Sequence, residues 1–253
     1  MKFIINADDC GISNHVNLKI EEYIKNGYIS STTIMANMPA VEQAKELYDH
    51  YHDTISFGIH LNLTQGQPMV YNQMLLDKEI YKTDDQGNLV FNNKISSSNE
   101  MYNKEIRNAI YNELCAQIDK IMELGINYSH IDSHHHVHTR PFMLRIIPKL
   151  QKKYGFNKIR RMRNYMPFSA SRIGREMWWQ LLKLSTKRMI STDYFTSYIS
   201  FIESTKDNSL IQGNVIELMV HPGGYENDIE LDIIKNNNLR ELFNTDIINY
   251  NQL

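Results

Sequence analysis

The sequence predicts an α/β fold: a deformed (β/α), TIM-barrel-like single domain over 1–253 with mainly parallel strands. Three observations predict it. Short apolar runs alternate with longer amphipathic segments, the pattern of βαβ units. The length of 253 residues suits one α/β barrel, with fewer than eight full strands as an option. Four polar clusters close apolar runs, and parallel α/β folds gather their ligand sites at that C-terminal strand edge. A doubly wound open sheet is the alternative.

Taken in order, Phe3-Ile4-Ile5 is a buried-strand candidate that runs into Asn6-Ala7-Asp8-Asp9. Ser13 stands where a helix N-cap would stand, ahead of Val16, Ile20 and Ile24 at helical spacing, and Gly27 closes that helix. Ser31 to Met35 reads as a β-branched strand, Val41 to Tyr51 as a helix, and Ile55 to Leu63 as a third strand carrying Gly58-Ile59-His60. Positions 65–100 are rich in Gly, Asn, Asp, Gln and Ser and include Ser96-Ser97-Ser98. They read as an excursion over the barrel mouth, since a structureless loop of that length is unusual unless functional. Glu105 to Leu124 is the strongest helix. Tyr128 to Asp132 is a fourth strand, Met143 to Tyr154 a helix and Ile159 to Met162 a short strand. Ile173 to Met189 is a helix whose adjacent Trp178 and Trp179 are expected to leave one ring facing the core. Val215 to Val220 is a last strand, ending in His221-Pro222-Gly223.

Bulk properties narrow the function classes. Hydrophobic residues make up 42% and charged residues 22%, a globular composition. A net charge of −2 argues against nucleic acid or an anionic membrane as the main partner. The two cysteines, Cys10 and Cys115, are too few for a disulfide framework and fit a reducing compartment. No run approaches the ~18 apolar residues of a membrane span, and the N-terminal apolar run falls short of a signal sequence. A cytoplasmic protein is expected, and a homodimer is an admissible assembly.

The four clusters are Asp8-Asp9, His60, His130 to His138, and His221. Adjacent carboxylates on an extended backbone point in different directions, so one can bind a metal while the other faces a water. The segment His130-Ile131-Asp132-Ser133-His134-His135-His136-Val137-His138 is the most specific signal, with five histidines in nine residues. As a strand it places 130, 132, 134 and 136 on one face. As a helix it pairs His134 with His138. The following Thr139-Arg140-Pro141 favours a strand that runs out into a loop. Clustered imidazoles repel when protonated unless a metal or carboxylate uses them, and Asp132 is placed to orient one as an acceptor. His221, delivered by an apolar strand into a Pro-Gly turn, suits a general acid or base. No Gly-x-Ser-x-Gly elbow is present, and the acidic neighbours of Cys10 disfavour a thiolate.

In this order and spacing the clusters resemble the YdjC/ChbG family of carbohydrate deacetylases. The matching residues are Asn6 to Gly11, Ser31-Thr32-Thr33, Gly58 to Leu61, His130 to His138, and His221-Pro222-Gly223. Cys10 stands where family members often carry an aromatic residue, and the region 160–210 matches weakly. The resemblance implies a deformed barrel that removes N-acetyl groups from amino sugars or short chitooligosaccharides. It implies one divalent metal held by Asp9, His60 and His134, with Asp8 as general base and His221 as general acid. Arg160 or Arg163 is implied to position a carboxylate or the substrate, and Asp132 and His136 are further candidates for substrate contact or ligand support.

Such chemistry is coherent without the family. One carboxylate and two imidazoles leave open metal positions, as catalytic sites do, and water on such a metal ionises near pH 7. Imidazole ligands favour Zn2+, whereas the resemblance points to Mg2+. Two other readings stand beside this one: a metal-dependent phosphoesterase, which predicts two metals about 3.5–4 Å apart, and a non-catalytic sugar- or metal-binding protein.

Overall fold

A computed structural model describes residues 1–92, 103–165, 170–204, 214–224 and 227–253. Its elements are β1 (Lys2–Cys10), α1 (Asn14–Lys25), β2 (Ser31–Ile34), α2 (Val41–Tyr51), β3 (Ser56–Leu61), α3 (Gln73–Asp77), β4 (Tyr81–Thr83), β5 (Leu89–Phe91), α4 (Lys104–Glu123), β6 (Ile131–Ser133), α5 (Ile147–Tyr154), α6 (Ala170–Ser185), β7 (Tyr194–Ser197), α7 (Tyr198–Ser204), β8 (Val215–Val220), α8 (Asn227–Asn236) and α9 (Leu239–Phe243). Six strands form one parallel sheet in the order β6-β3-β2-β1-β8-β7. It curls into a half-barrel, so the expected TIM-barrel-like fold holds in deformed form. Across the open side, Ile159 bridges Ile131, and Lys158 bridges Ile190. The backbone N–H groups of Asn164 and Tyr165 reach the Phe195 carbonyl. The expected strand Ile159 to Met162 is therefore only a seam of isolated bridges, because it feeds two edges at once and cannot keep regular register with either.

Strand register sorts the side chains. Asn6 pairs with Ser31, Ser31 with Ser56, Thr33 with Gly58, His60 with Asp132, and Ile4 with Glu217. Paired residues share a face and a strand alternates faces, so these residues line the concave side, which is largely polar. Phe3, Ile5, Phe57, Ile59, Ile131, Ile216 and Leu218 take the opposite face, in the main buried cluster. Concealed polar residues need partners, and the concave side supplies them to one another, as described below.

Local sequence explains the helix ends. The Ser13 side chain accepts from the Val16 N–H, as expected for an N-cap. Asn103 caps α4 in the same way. The helix expected from Met143 instead splits into a 3-10 turn at Pro141–Arg145 and α5, with Pro148 in the first turn of α5. That proline lacks the N–H needed to continue an earlier helix. The helix expected over Ile173 to Met189 runs from Ala170 to Ser185. Both Trp178 and Trp179 are buried, contrary to the expected single core-facing ring. The Arg161 guanidinium lies 5.3 Å from the Trp179 ring and covers it.

The excursion has structure of its own, α3 and the antiparallel β4–β5 pair. Buried Glu113 of α4 anchors it by accepting from the backbone N–H groups of Met69 and Val70. Its part at 93–100, with the serine run, lies outside the described residues. Among the described residues no helix is long and apolar enough to cross a membrane.

Candidate metal centre and active site

The first strand ends irregularly, and that irregularity builds the site. Pairing of β1 with β2 slips between Ala7 and Cys10, and Asp9 adopts a left-handed backbone with φ 66°. A residue other than glycine held there stores roughly 1–3 kcal/mol of strain. The slip turns Asp9 away from simple alternation, so Asp8 and Asp9 line one cavity of about 860 Å³. At this bulge the two carboxylates take different partners, Asp8 meeting Arg160 and Asp9 meeting His60 and His134.

Asp9 Oδ1 lies 3.2 Å from His60 Nε2 and 2.8 Å from His134 Nδ1. Ligand atoms of these three residues all fall within 4.8 Å of one another. One carboxylate and two imidazoles are a suitable donor set for a divalent cation with open positions. Both imidazoles are held from behind. His60 Nδ1 sits 2.6 Å from Asp132 Oδ1, and His134 Nε2 sits 2.9 Å from Gln65 Oε1. Such partners fix the tautomer and would aim the other ring nitrogen at a cation held there. Burial would lower the basicity of His60, but Asp132 and then Asp9 and Asp8 push its pKa up to about 10.

Beneath them lies a buried ion cluster. Arg160 donates to both Asp8 oxygens at 2.7 and 2.6 Å and to Glu217 Oε1 at 2.7 Å, and its Nη1 is 2.7 Å from Asp132 Oδ2. All four side chains are at most 3% exposed. Burial alone would raise the Asp8 pKa, but Arg160 overrides it and holds the carboxyl far below the usual range. Glu217 has weaker compensation, and burial pushes it up to about 7. A second group, Asp8, His60 and Asp132, also has donor atoms within 4.8 Å of one another. The Arg160 guanidinium already occupies the carboxylates of that group.

The histidine run does not behave as a strand after Ser133. His134–Thr139 forms a 3-10 turn with His135 and His136 in the left-handed region, φ 50° and 53°. His134, His135 and His136 consequently all line the cavity, although alternation would have put His135 on the other face. His138 is structural: its Nδ1 is 2.6 Å from Ser133 Oγ and its Nε2 is 3.2 Å from the Arg160 carbonyl. His130 is also interior, stacked on Tyr250 at 3.5 Å and 7°. His136 keeps a buried Nδ1 with no partner among the described residues, and burial and then Arg160 push its pKa down to about 3. His221 also lines the cavity, just after β8, its backbone N–H donated to Glu230 at 2.6 Å.

Asp8, Asp9, His60, His134, His136 and His221 thus meet at one cavity, with Asp132 and Arg160 directly behind it. Arg163 is not brought there. Its guanidinium donates to Thr196 and Ser200 instead. Sequence reasoning missed Gln65, Glu217, Glu230 and Tyr250. Gln65 lies outside any cluster, and Glu217 sits inside an apolar run whose alternation was the one available sign. Cys10 is fully buried, and burial pushes its thiol up to about 12, so it is no nucleophile.

A sequence profile of YdjC-like proteins matches residues 2–246. The chain belongs to the YdjC family. Among curated relatives of this YdjC chain, the carbohydrate deacetylase of Vibrio parahaemolyticus is 30% identical, over 95% of this chain and 90% of that protein. The carbohydrate deacetylase of Listeria monocytogenes is 33% identical, over 88% of this chain and 81% of that protein. A crystal structure from Enterococcus faecalis V583, provisionally described as a cellobiose-phosphate cleavage protein, shares the YdjC chain's fold with TM-score 0.74. It is 24% identical and the match covers 99% of this chain and 98% of that one.

Proposed function

We propose that residues 1–253 act as a single-domain, cytoplasmic, metal-dependent carbohydrate deacetylase that hydrolyses the N-acetyl group of an amino sugar or short chitooligosaccharide. One observation carries the reading: Asp9, His60 and His134 converge on one point, with Asp8 and His221 lining the same cavity. The relatives named carbohydrate deacetylase supply the substrate class. A divalent cation on those three ligands supplies Lewis acidity to the acetyl carbonyl and to water, with Mg2+ from the family and Zn2+ from ligand preference as candidates.

The chain's own groups do the rest. Asp8, kept anionic by Arg160, takes a proton from the water that attacks the acetyl carbon. His221 delivers a proton to the sugar nitrogen, so the C–N bond breaks to release acetate and an amine rather than an amide anion. Gln65 and Asp132 keep the two imidazoles aimed. A two-metal phosphoesterase would need a second cation where Arg160 already neutralises Asp8 and Asp132.

Acetate release from mono- and di-N-acetyl sugars, with metals added back to stripped protein, tests the proposal. Asp8→Asn is expected to lower the rate by roughly 10²–10⁴ at near-normal metal content, and His134→Ala to lose the metal. Full activity in Asp8→Asn would remove it as the base. Metal-independent activity, or no release from any acetylated sugar, would overturn the function.

A further inference from the structure

We propose that the Tyr250 hydroxyl is a positioning group for Asp8, acting through Glu217 and Arg160. This rests on the reading of Asp8 as the base. Tyr250 stands in a 3-10 turn beyond residues 2–246, the span that matches the family profile.

Tyr250 closes the floor of the barrel beneath the site. Its backbone N–H donates to Ser56 Oγ at 3.0 Å, and its carbonyl accepts from Lys158 Nζ at 2.6 Å. With Ile4 and Ile248 it forms a small apolar cluster of its own. The ring lies flat on His130, and Gly58 makes that stack possible. A Cβ at Gly58 would stand 2.5 Å from His130 Cε1. The ring is thus fixed in place and orientation, and its hydroxyl has one place to go: it donates to Glu217 Oε2 at 2.5 Å.

Glu217 divides its two oxygens. Oε2 takes the tyrosine, and Oε1 takes Arg160 Nε. The other edge of the guanidinium carries Asp8, and the Phe195 ring lies 4.7 Å from the guanidinium carbon. An unbroken line of buried donors and acceptors therefore runs from the last turn to the reacting carboxylate. Without the hydroxyl, Glu217 Oε2 has lost its buried donor, and burial favours a protonated or rotated carboxyl. The Nε–H of Arg160 then lacks its fixed acceptor. The guanidinium keeps Asp8 and Asp132 on its Nη side but loses the fixed point on its Nε side, so it can tilt, and Asp8 tilts with it. Small displacements of a reacting group cost rate without touching the contacts that bind remote parts of a substrate.

Tyr250→Phe keeps the ring and the stack and removes only the oxygen. Acetate-release kinetics are compared for wild type, Tyr250→Phe, Glu217→Gln and the double variant, with Tm confirming that each is folded. The expected result for Tyr250→Phe is a kcat lower by about tenfold, within the range for a supporting residue, with KM changed by less than about twofold. In the Glu217→Gln background the same change is expected to cost less than about twofold, because the hydroxyl acts only through Glu217. An unchanged kcat, or losses that multiply independently, would overturn the proposal. A second readout needs no turnover. In protein labelled with 15N-arginine, the Arg160 Nε–H resonance (identified by its loss in Arg160→Lys) is expected to be exchange-protected in wild type and to lose protection in Tyr250→Phe. Equal protection in both refutes the link even if the protein deacetylates. Lost protection, with no acetate released by wild type, would support the link and count against the deacetylase reading instead.

Discussion

Gly58→Ala probes the packing on which the site stands. The added Cβ would lie 2.5 and 2.6 Å from His130 Cε1 and Nδ1 and 2.8 Å from Thr33 Cγ2. Ordinary carbon contacts sit near 3.5–4.0 Å, so the ring must retreat by about 1 Å. It cannot do so cheaply. Tyr250 is stacked on it with ring centres 3.5 Å apart, and Ser129 Oγ lies 2.8 Å from its Nδ1. The methyl also meets the Thr33 side chain, its register partner on the same face of the sheet, and the pairing of β2 with β3 fixes that spacing. Overpacking of this kind costs typically 1–3 kcal/mol, and the immobility of both neighbours argues for the top of that range, about 3 kcal/mol. At roughly 2–4 °C per kcal/mol for a chain of this size, Tm should fall by about 6–12 °C. Urea unfolding followed by tryptophan fluorescence and circular dichroism measures it. In a His130→Ala background most of the cost should disappear, since the ring that receives the methyl is gone. Gly58→Ala within about 0.5 kcal/mol of wild type, a typical neutral change, would refute the claim that the floor is packed as described.

Three further outcomes are expected. Asp132→Asn, which removes the anion behind His60 Nδ1, should weaken metal affinity by roughly 10–100-fold in calorimetric titration; unchanged affinity would mean that Asp132 does not orient the imidazole. Glu217 has an ordinary pKa of 4.5 and is pushed up to about 7 by burial, against the opposing pull of Arg160, so folding favours its protonated form. Its contribution to stability is therefore full below pH 4.5 and lost as pH rises toward 7, and wild type should lose about 3 kcal/mol relative to Glu217→Gln across that window, at about 1.4 kcal/mol per pH unit; a flat difference in urea-melt stability would contradict it. Glu113→Ala leaves the N–H groups of Met69 and Val70 without their acceptor, so protease cleavage within 65–92 should accelerate while the global melt moves by only about 1–3 kcal/mol; unaltered cleavage would show that the excursion is held elsewhere.

Much of this protein is legible in its linear chain. Strands β1, β2, β3 and β8 and helices α1, α2 and α4 follow from periodicity and capping residues, because each buries one face against a neighbour and repeats with its own period. The identity of the polar clusters, and their place at strand ends, also follows, since a parallel sheet carries all of its C-terminal edges on one side. What periodicity cannot show is a break in periodicity. Left-handed turns at Asp9, His135 and His136 reverse the side-chain alternation that the sequence implies. Strand β7 and the 157–165 seam pair through single bridges or short runs, and such brief pairing leaves little pattern to read. Residue type and order along the chain determine which chemistry is at hand. Only the folded chain decides that Arg160 meets three carboxylates, that Arg163 does not approach the cavity, and that Tyr250 reaches Glu217. Those contacts join residues tens to hundreds of positions apart, and their distances depend on barrel curvature, a property of all the strands together and of no single segment.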